Sequence, residues 1–234
     1  MYEFAAIIGQ GEQHANQALL PRVLADGRIE LEPGEKILAH AIAHSLRLYR
    51  GDSTVANRYL QLRKATIEVV VTSTRFLVLC RKFEKGNTWW GNPLLAIPAT
   101  IVSRARVAIL RHGKVLAGQM RLRWVHEVAC ATKQGWLSTN WLSLTAHDES
   151  RTAVVVRLKF GKSTSPRPLA EHITNAACTI HLSESDRLNT TQLSNLGRGL
   201  RLPTPEPGTA ATLVIPGAQL ASASNAYPAQ TVPQ

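Results

Sequence analysis

Residues 67–80, IEVVVTSTRFLVLC, constrain the fold more than any other part of the chain. Two β-prone runs rich in Val, Ile, Leu and Phe flank the polar break Thr72-Ser73-Thr74 and lead into Arg75. Runs of this kind around a turn signal read as consecutive antiparallel strands. The remaining composition, 44% hydrophobic and 18% charged over 234 residues, is globular and sufficient to bury a sizeable core. No apolar run reaches the ~18–20 residues that a membrane span requires. The best candidate is interrupted by Glu68 and by residues 72–75.

The N-terminal MYEFAAIIGQGEQ carries Glu3 where a secretion signal wants Lys or Arg, so export is not expected. Cys80, Cys130 and Cys178 are odd in number, widely spaced and without a CxxC pair. Neither a disulfide framework nor a zinc site is expected, and a reducing cytoplasm fits this usage.

Charge divides the chain into three. Residues 1–30 hold four acids and two bases, and residues 183–234 hold three of each sign. The middle segment therefore carries the whole excess, with 22 Lys/Arg against 9 Asp/Glu. Such a balance attracts anions such as phospholipid or nucleic acid, although a basic surface without a partner has the same composition. Residues 1–30 read as an N-terminal extension with a short helix near 15–25. Six of the twelve prolines fall between Pro203 and Pro233, among Ala, Thr, Ser and Gly, so residues 183–234 read as a flexible tail. The apolar patch Leu213-Val214-Ile215 is its one candidate for docking.

Residues 31–182 read as strands followed by one helix. Glu32-Pro33-Gly34-Glu35 is a turn, and strands are expected near 37–49, 65–72 and 75–82, with another near 94–102 that extends toward 110. His112-Gly113 matches the Asn-Gly type of tight hairpin turn. Residues 120–130 then alternate as one strand, with Met120, Leu122, Trp124, Val128 and Cys130 on one face and Arg121, Arg123 and Glu127 on the other. A strand near 136–145 follows. Residues 151–160 alternate most cleanly, with Val154, Val156, Leu158 and Phe160 inward and Arg151, Arg157 and Lys159 outward. Ser165-Pro166 opens a helix whose Leu169, Ile173, Ala176, Ala177 and Ile180 make one apolar stripe.

This order of elements resembles the bacterial PH-like (pleckstrin-homology-like) family. The matching segments are LEPGEKIL at 31–38, VTSTRFLVL at 71–79, IPATIVSRARV at 97–107 and the amphipathic PLAEHITNAACTI at 168–180. The resemblance implies a mainly β fold, a strongly bent antiparallel barrel or sandwich of about seven or eight strands capped by one C-terminal helix. It also implies a binding or adaptor role without catalysis, on phosphoinositides, other anionic surfaces or protein partners. Phosphoinositide-binding members carry a Lys…Arg-x-Arg pattern near the first hairpin. Arg47, Arg50, Arg58, Arg63 and Lys64 lack that spacing, so specific phosphoinositide recognition is not expected.

Catalytic and metal motifs are weak. Phe160-Gly161-Lys162-Ser163-Thr164 precedes a helix as a phosphate loop would, but the Gly that a P-loop needs five residues earlier is Val156. An ordinary strand-to-helix connection is expected. His40 and His44 have zinc-ligand spacing for a helix but lack the accompanying Glu, and on a strand they stand ~13 Å apart. No nucleophile elbow is present. No enzyme activity and no cofactor are expected.

Two candidate binding sites remain. The segment RKFEKGNTWWGNP at 81–93 sets Arg81, Lys82 and Lys85 beside Trp89 and Trp90, a mixture suited to anionic lipid headgroups. It suits stacking on nucleotide bases equally. Against both stands the folding of at least one Trp back over the barrel mouth. The second site follows from a two-residue turn at His112-Gly113, which would put Arg104 opposite Arg121 and extend the row through Arg106 and Arg123. Four arginines on one basic sheet face point to an anionic partner, to cover by the acidic N-terminal segment, or to solvated side chains that splay apart. The expected function is therefore a cytoplasmic PH-like module, peripheral at the membrane when the partner is lipid, that binds an anionic membrane surface or a protein. Nucleic-acid binding through the basic face and the loop tryptophans is the alternative.

Overall fold

The chain enters its sheet through the turn at Pro33-Gly34. Gly34 sits at φ 78°, which a side chain resists, and the Glu35 N–H donates to the Glu32 carbonyl at 3.0 Å, a type II turn. The computed structural model describes residues 28–51, 56–85, 116–132, 140–147, 153–205 and 209–220. In chain order these form strands β1 (Ile37–Gly51), β2 (Ala56–Thr72), β3 (Arg75–Lys85), β4 (Leu116–Arg121), β5 (Val125–Thr132), β6 (Asn140–His147) and β7 (Ala153–Phe160). Helix α1 (Arg167–Ser183), helix α2 (Thr190–Gly197) and strand β8 (Ala211–Val214) follow. All eight strands belong to one antiparallel sheet in the order β4-β3-β2-β1-β7-β6-β5-β8. The expected mainly β, antiparallel architecture is what the chain adopts.

Two features curl this sheet. Between Ala43 and Leu46 the partners on β2 jump from Ile67 to Leu62, so β2 carries extra residues there and Lys64 takes φ 45°. Extra residues on one strand of a pair bend it and increase its twist. The first half of β1 pairs β2 alone, whereas the second half pairs both β2 and β7. The other feature is the 3-10 turn Leu122–Trp124, which joins β4 to β5 although they occupy the first and seventh places in the sheet. Four peptide links reach at most about 14 Å, so the sheet must roll until these strands meet at one corner. The edges β4 and β8 are not hydrogen-bonded to each other, and the closed barrel implied by the resemblance is not found among the described strands.

The concave face holds the core. Leu46, Leu48, Ile67, Val69, Phe76, Trp124, Leu142, Leu144, Val156 and Leu158 are all buried in it. Helix α1 lies over this face and buries Leu169, Ala170, Ile173, Ala176 and Ala177, most of the stripe that its sequence spacing predicts. It begins one residue later than expected: Pro166 occupies the N-cap, and the Ser165 hydroxyl accepts from the Arg167 N–H at 3.4 Å.

Three expectations are corrected here. Residues 120–130 are not one strand. Met120, Leu122, Trp124, Val128 and Cys130 are buried as the alternation requires, but the chain turns a corner at Leu122–Trp124, held by the Leu122 N–H on the Thr74 carbonyl at 3.0 Å. A period-two pattern records which residues go inside, and a 3-10 corner with both its apolar residues inward satisfies it equally well.

The segment after 183 is not all tail, and the helix that covers the sheet is not the last element. Asn189 and Gln192 form a reciprocal capping box that starts α2, and Leu196 and Leu202 are buried. Strand β8 then pairs with β5 and sends Ala211 and Ile215 into the core. The composition of the tail, averaged over fifty residues, hides the five-residue run ATLVI. Finally, β3 continues to Lys85, into the segment expected to be a loop. The strand expected near 94–110, the His112-Gly113 turn and residues 1–27 and 221–234 lie outside the described residues.

Candidate functional site

The convex face of β1, β7 and β6 brings together three half-buried cationic side chains, Arg47, Arg157 and Lys159. Inward positions on these strands are taken by Leu46, Leu48, Val156, Leu158, Leu142 and Leu144, so the alternate residues point away from the core. The register sets Arg47 opposite Arg157 and Ser45 opposite Lys159 across β1–β7. Across β7–β6 it sets Ser143 opposite Arg157 and Trp141 opposite Lys159. The guanidinium carbon of Arg157 stands 4.8 Å from the centre of the Trp141 ring and 5.7 Å from that of Tyr49, so aromatic rings flank it from both neighbouring strands. Each such contact contributes about 0.5–1 kcal/mol at a partly exposed site.

No Asp or Glu occurs anywhere in β1, β6 or β7. Arg47, Arg157 and Lys159 form no ion pair among the described residues, and the Nε atoms of both arginines are shielded from water without a hydrogen-bond partner. Glu127 on β5 shares the face but lies level with Thr145 and Val155, beyond the basic cluster.

The residues predicted from sequence are distributed differently. Arg81, Lys82 and Lys85 are on the last part of β3, where Lys82 is in register with Thr66 and Lys85 with Leu62. Trp89, Trp90, Arg104 and Arg106 lie outside the described residues. Arg121 and Arg123 do not share an open sheet face. Arg121 is 7% exposed and its fork grips the Glu32 carboxylate at 2.6 and 2.7 Å. Arg123, in the 3-10 turn, is ion-paired with Glu184. Arg121 and Arg123 are held apart because the 3-10 corner at Leu122–Trp124 separates them and each has its own carboxylate partner.

Arg121 belongs to a buried network joining two of the four segments that carry the family resemblance, residues 31–38 and 71–79. Arg75, opposite Arg121 on β3–β4, donates from Nε to Glu35 at 2.8 Å, from a terminal nitrogen to the other Glu35 oxygen, and to the Gln119 side-chain carbonyl at 2.8 Å. Thr72 and Thr74 donate to the same carboxylate. Burial raises the Glu35 pKa, but the bonds from Arg75, Thr72, the Glu32 N–H and Thr74 outweigh it and bring the carboxyl down to about 2. A carboxylate held so far below neutrality is a poor proton acceptor and a good structural counter-ion. Glu32, Glu35, Thr72, Thr74 and Arg75 of these segments are thus engaged in holding the fold.

Other polar side chains also have structural tasks. His40 and His44 both lie on β1, with His40 bonded to Glu68 at 3.1 Å. In the β7–α1 connection the Asn140 amide donates to the carbonyls of Gly161, Lys162 and Thr164, which makes that loop an ordinary connection held by its carbonyls. All three cysteines are buried, and burial raises the thiol pKa of Cys130 and takes that of Cys178 to about 11, so neither is a ready nucleophile. Among the described residues no helix is long and apolar enough to cross a membrane. No family model matches the chain, and no curated protein matches it.

At the end of α1, His181 is 1% exposed, and its Nε2 has no hydrogen-bond partner. Burial, reinforced by Arg187 and Arg123, lowers its pKa from 6.5 to about 4. Between those values the unfolded chain binds the extra proton. Stability is thus fully present above pH 6.5 and falls by about 3 kcal/mol as pH drops through 4. Urea midpoints measured across that range should show this slope, and His181→Gln should flatten it. An unchanged slope in the variant would assign the loss to other groups.

Sequence reasoning placed Arg157 and Lys159 outward but did not find their cluster. Arg47 and Trp141 reach them only through strand pairing between residues about 110 and 16 positions apart, which no local pattern encodes. The missed signal is the absence of acid from all three strands, which is visible in the sequence once the pairing is known.

Proposed function

We propose that this chain is a non-enzymatic binding module on the PH-like plan, which engages an anionic membrane surface through the convex face of β1, β7 and β6. The observation that carries the reading is the Arg47–Arg157–Lys159 cluster on the paired strands β1 and β7, with no carboxylate on either strand or on the neighbouring β6. Arg75 and Arg121 are neutralised by carboxylates inside the fold, and Arg123, Arg167 and Arg187 pair with carboxylates nearer the surface. The curled antiparallel sheet and the helix over its concave face support the PH-like plan. A peripheral position at a cytoplasmic membrane surface accompanies this reading, and Arg81, Lys82 and Lys85, with Trp89 and Trp90, supply a second proposed contact. A protein partner with an acidic surface would use the same convex cluster.

Nucleic acid is the second reading, favoured by the Tyr49 and Trp141 rings beside the cations. Vesicle co-sedimentation and oligonucleotide gel shifts, run side by side on the full chain at several salt concentrations, separate the two. We expect anionic vesicles to bind, neutral vesicles to fail, and binding to weaken as salt screens the attraction. Retention of oligonucleotides but not vesicles would replace the membrane reading with the nucleic-acid one. Failure to bind either would leave the cluster a solvated coat.

A further inference from the structure

We propose that Arg47 and Arg157 form a clamp for a phosphomonoester dianion, with Lys159 as its third cation. This rests on the reading of the convex face as an anion-binding surface and narrows the ligand from any anion to one headgroup chemistry.

Three observations point this way. Residues directly opposite on antiparallel strands have Cβ atoms about 4.5–5.5 Å apart, where like charges repel. Arg47 and Arg157 hold that relation, and β1, β6 and β7 contain no acid to relieve it. Lys159 lies two residues further along β7 on the same face, about 7 Å away. Three cationic side chains therefore spring from neighbouring positions on one face, close enough for their charges to converge on one phosphoryl group.

The donors are also poised. Neither arginine has a hydrogen bond among the described residues. Each Nε is covered and unpartnered, and both arginines are half-buried on the face. Burying part of a charged donor without a partner is unfavourable, and a ligand that accepts from both forks offsets that cost. Tyr49 and Trp141 sheathe the Arg157 guanidinium from either side, which fixes its plane and leaves less freedom to lose on binding.

The ligand must match two forks and an ammonium. A carboxylate or a phosphodiester brings one negative charge and two free oxygens, which a single arginine fork satisfies. A phosphomonoester brings about −1.5 to −2 at neutral pH and three terminal oxygens, enough to accept from both forks at once. Two sources have this chemistry, a lipid with a phosphomonoester headgroup and a small soluble phosphomonoester.

The experiment uses the full chain and vesicles of phosphatidylcholine mixed with phosphatidic acid or with phosphatidylserine, matched for surface charge. Phosphatidic acid should be bound about ten-fold more tightly, the difference of one additional charge-assisted contact. The preference should grow from pH 6 to pH 8 as the monoester loses its second proton. Arg47→Lys and Arg157→Lys keep the charge and remove the fork. Each should abolish the preference while phosphatidylserine binding persists, with the fold verified by its thermal midpoint.

Glycerol 3-phosphate, titrated by calorimetry and as a competitor, identifies the source. Competition at micromolar concentration assigns a soluble ligand, and competition only at millimolar concentration assigns the membrane headgroup. Equal binding to the two vesicles at matched charge overturns the clamp but leaves the anionic-surface module standing. Tighter binding of a single-stranded oligonucleotide, all phosphodiester, also overturns the clamp. So does a failure of glycerol 3-phosphate and of every vesicle to bind, and that result removes the membrane reading with it.

Discussion

Glu35→Ala is expected to destabilise the fold by about 3–5 kcal/mol, the cost of leaving a buried charge without its partner. Arg75 is only 3% exposed, and both oxygens of the Glu35 carboxylate receive its guanidinium. With that carboxylate gone, Arg75 keeps Gln119 and the Glu30 carbonyl at 3.2 Å but loses its principal counter-charge. Glu32 stands 3.6 Å from Arg75 but is already committed to Arg121, so it offers partial relief. The loss is a large share of the 5–15 kcal/mol typical of a domain.

The same network predicts acid sensitivity. The Glu35 carboxyl is depressed from 4.5 to about 2, so its contribution is present above pH 4.5 and lost as pH falls through 2. Urea unfolding of wild type and Glu35→Ala between pH 2 and 7 checks both claims. A loss below 1 kcal/mol at neutral pH would mean that the network is incidental to the fold.

Truncation after Leu202 is expected to cost at least about 3 kcal/mol. The deletion removes β8, with Ala211 and Ile215 fully inside the core, and uncovers the edge of β5. Loss of one buried Ile side chain alone costs about 2–5 kcal/mol. Backbone bonds that tie the segment down, from the Ile215 N–H to the His126 carbonyl at 2.8 Å and from the Gln219 N–H to the Arg123 carbonyl at 2.9 Å, are lost with it. The control is truncation after Leu220, which spares every one of these contacts. Thermal midpoints decide the matter: a cut at 202 as harmless as a cut at 220 would make β8 an ornament on the sheet.

The central hairpin was legible because its two strands adjoin in sequence and both of its β-prone runs are long. Helix α1 was legible for a related reason, since its stripe at helical spacing lies in one unbroken segment. The corner at Leu122–Trp124 was not, because alternation is blind to a chain that changes direction while keeping the same residues inside. Strand β8 was lost in a proline-rich background, although Leu213-Val214-Ile215 stood out as a patch that could dock. The arginines show the same limit from the other side. Their excess is plain in composition, but whether an arginine is neutralised depends on partners such as Glu32 and Glu184, 89 and 61 residues away. Sequence therefore revealed that the chain is basic and not which bases are free.

The central claim is that the anionic partner meets the convex face of β1, β7 and β6. Two triple variants with equal loss of charge test it most directly: Arg47→Gln/Arg157→Gln/Lys159→Gln against Arg81→Gln/Lys82→Gln/Lys85→Gln. Affinity is measured on the same anionic vesicles at the same salt. At about 1 kcal/mol per cation near the surface, the first set should weaken binding by roughly two decades and the second by markedly less. A loss confined to the second set would move the site to the end of β3 and contradict the account.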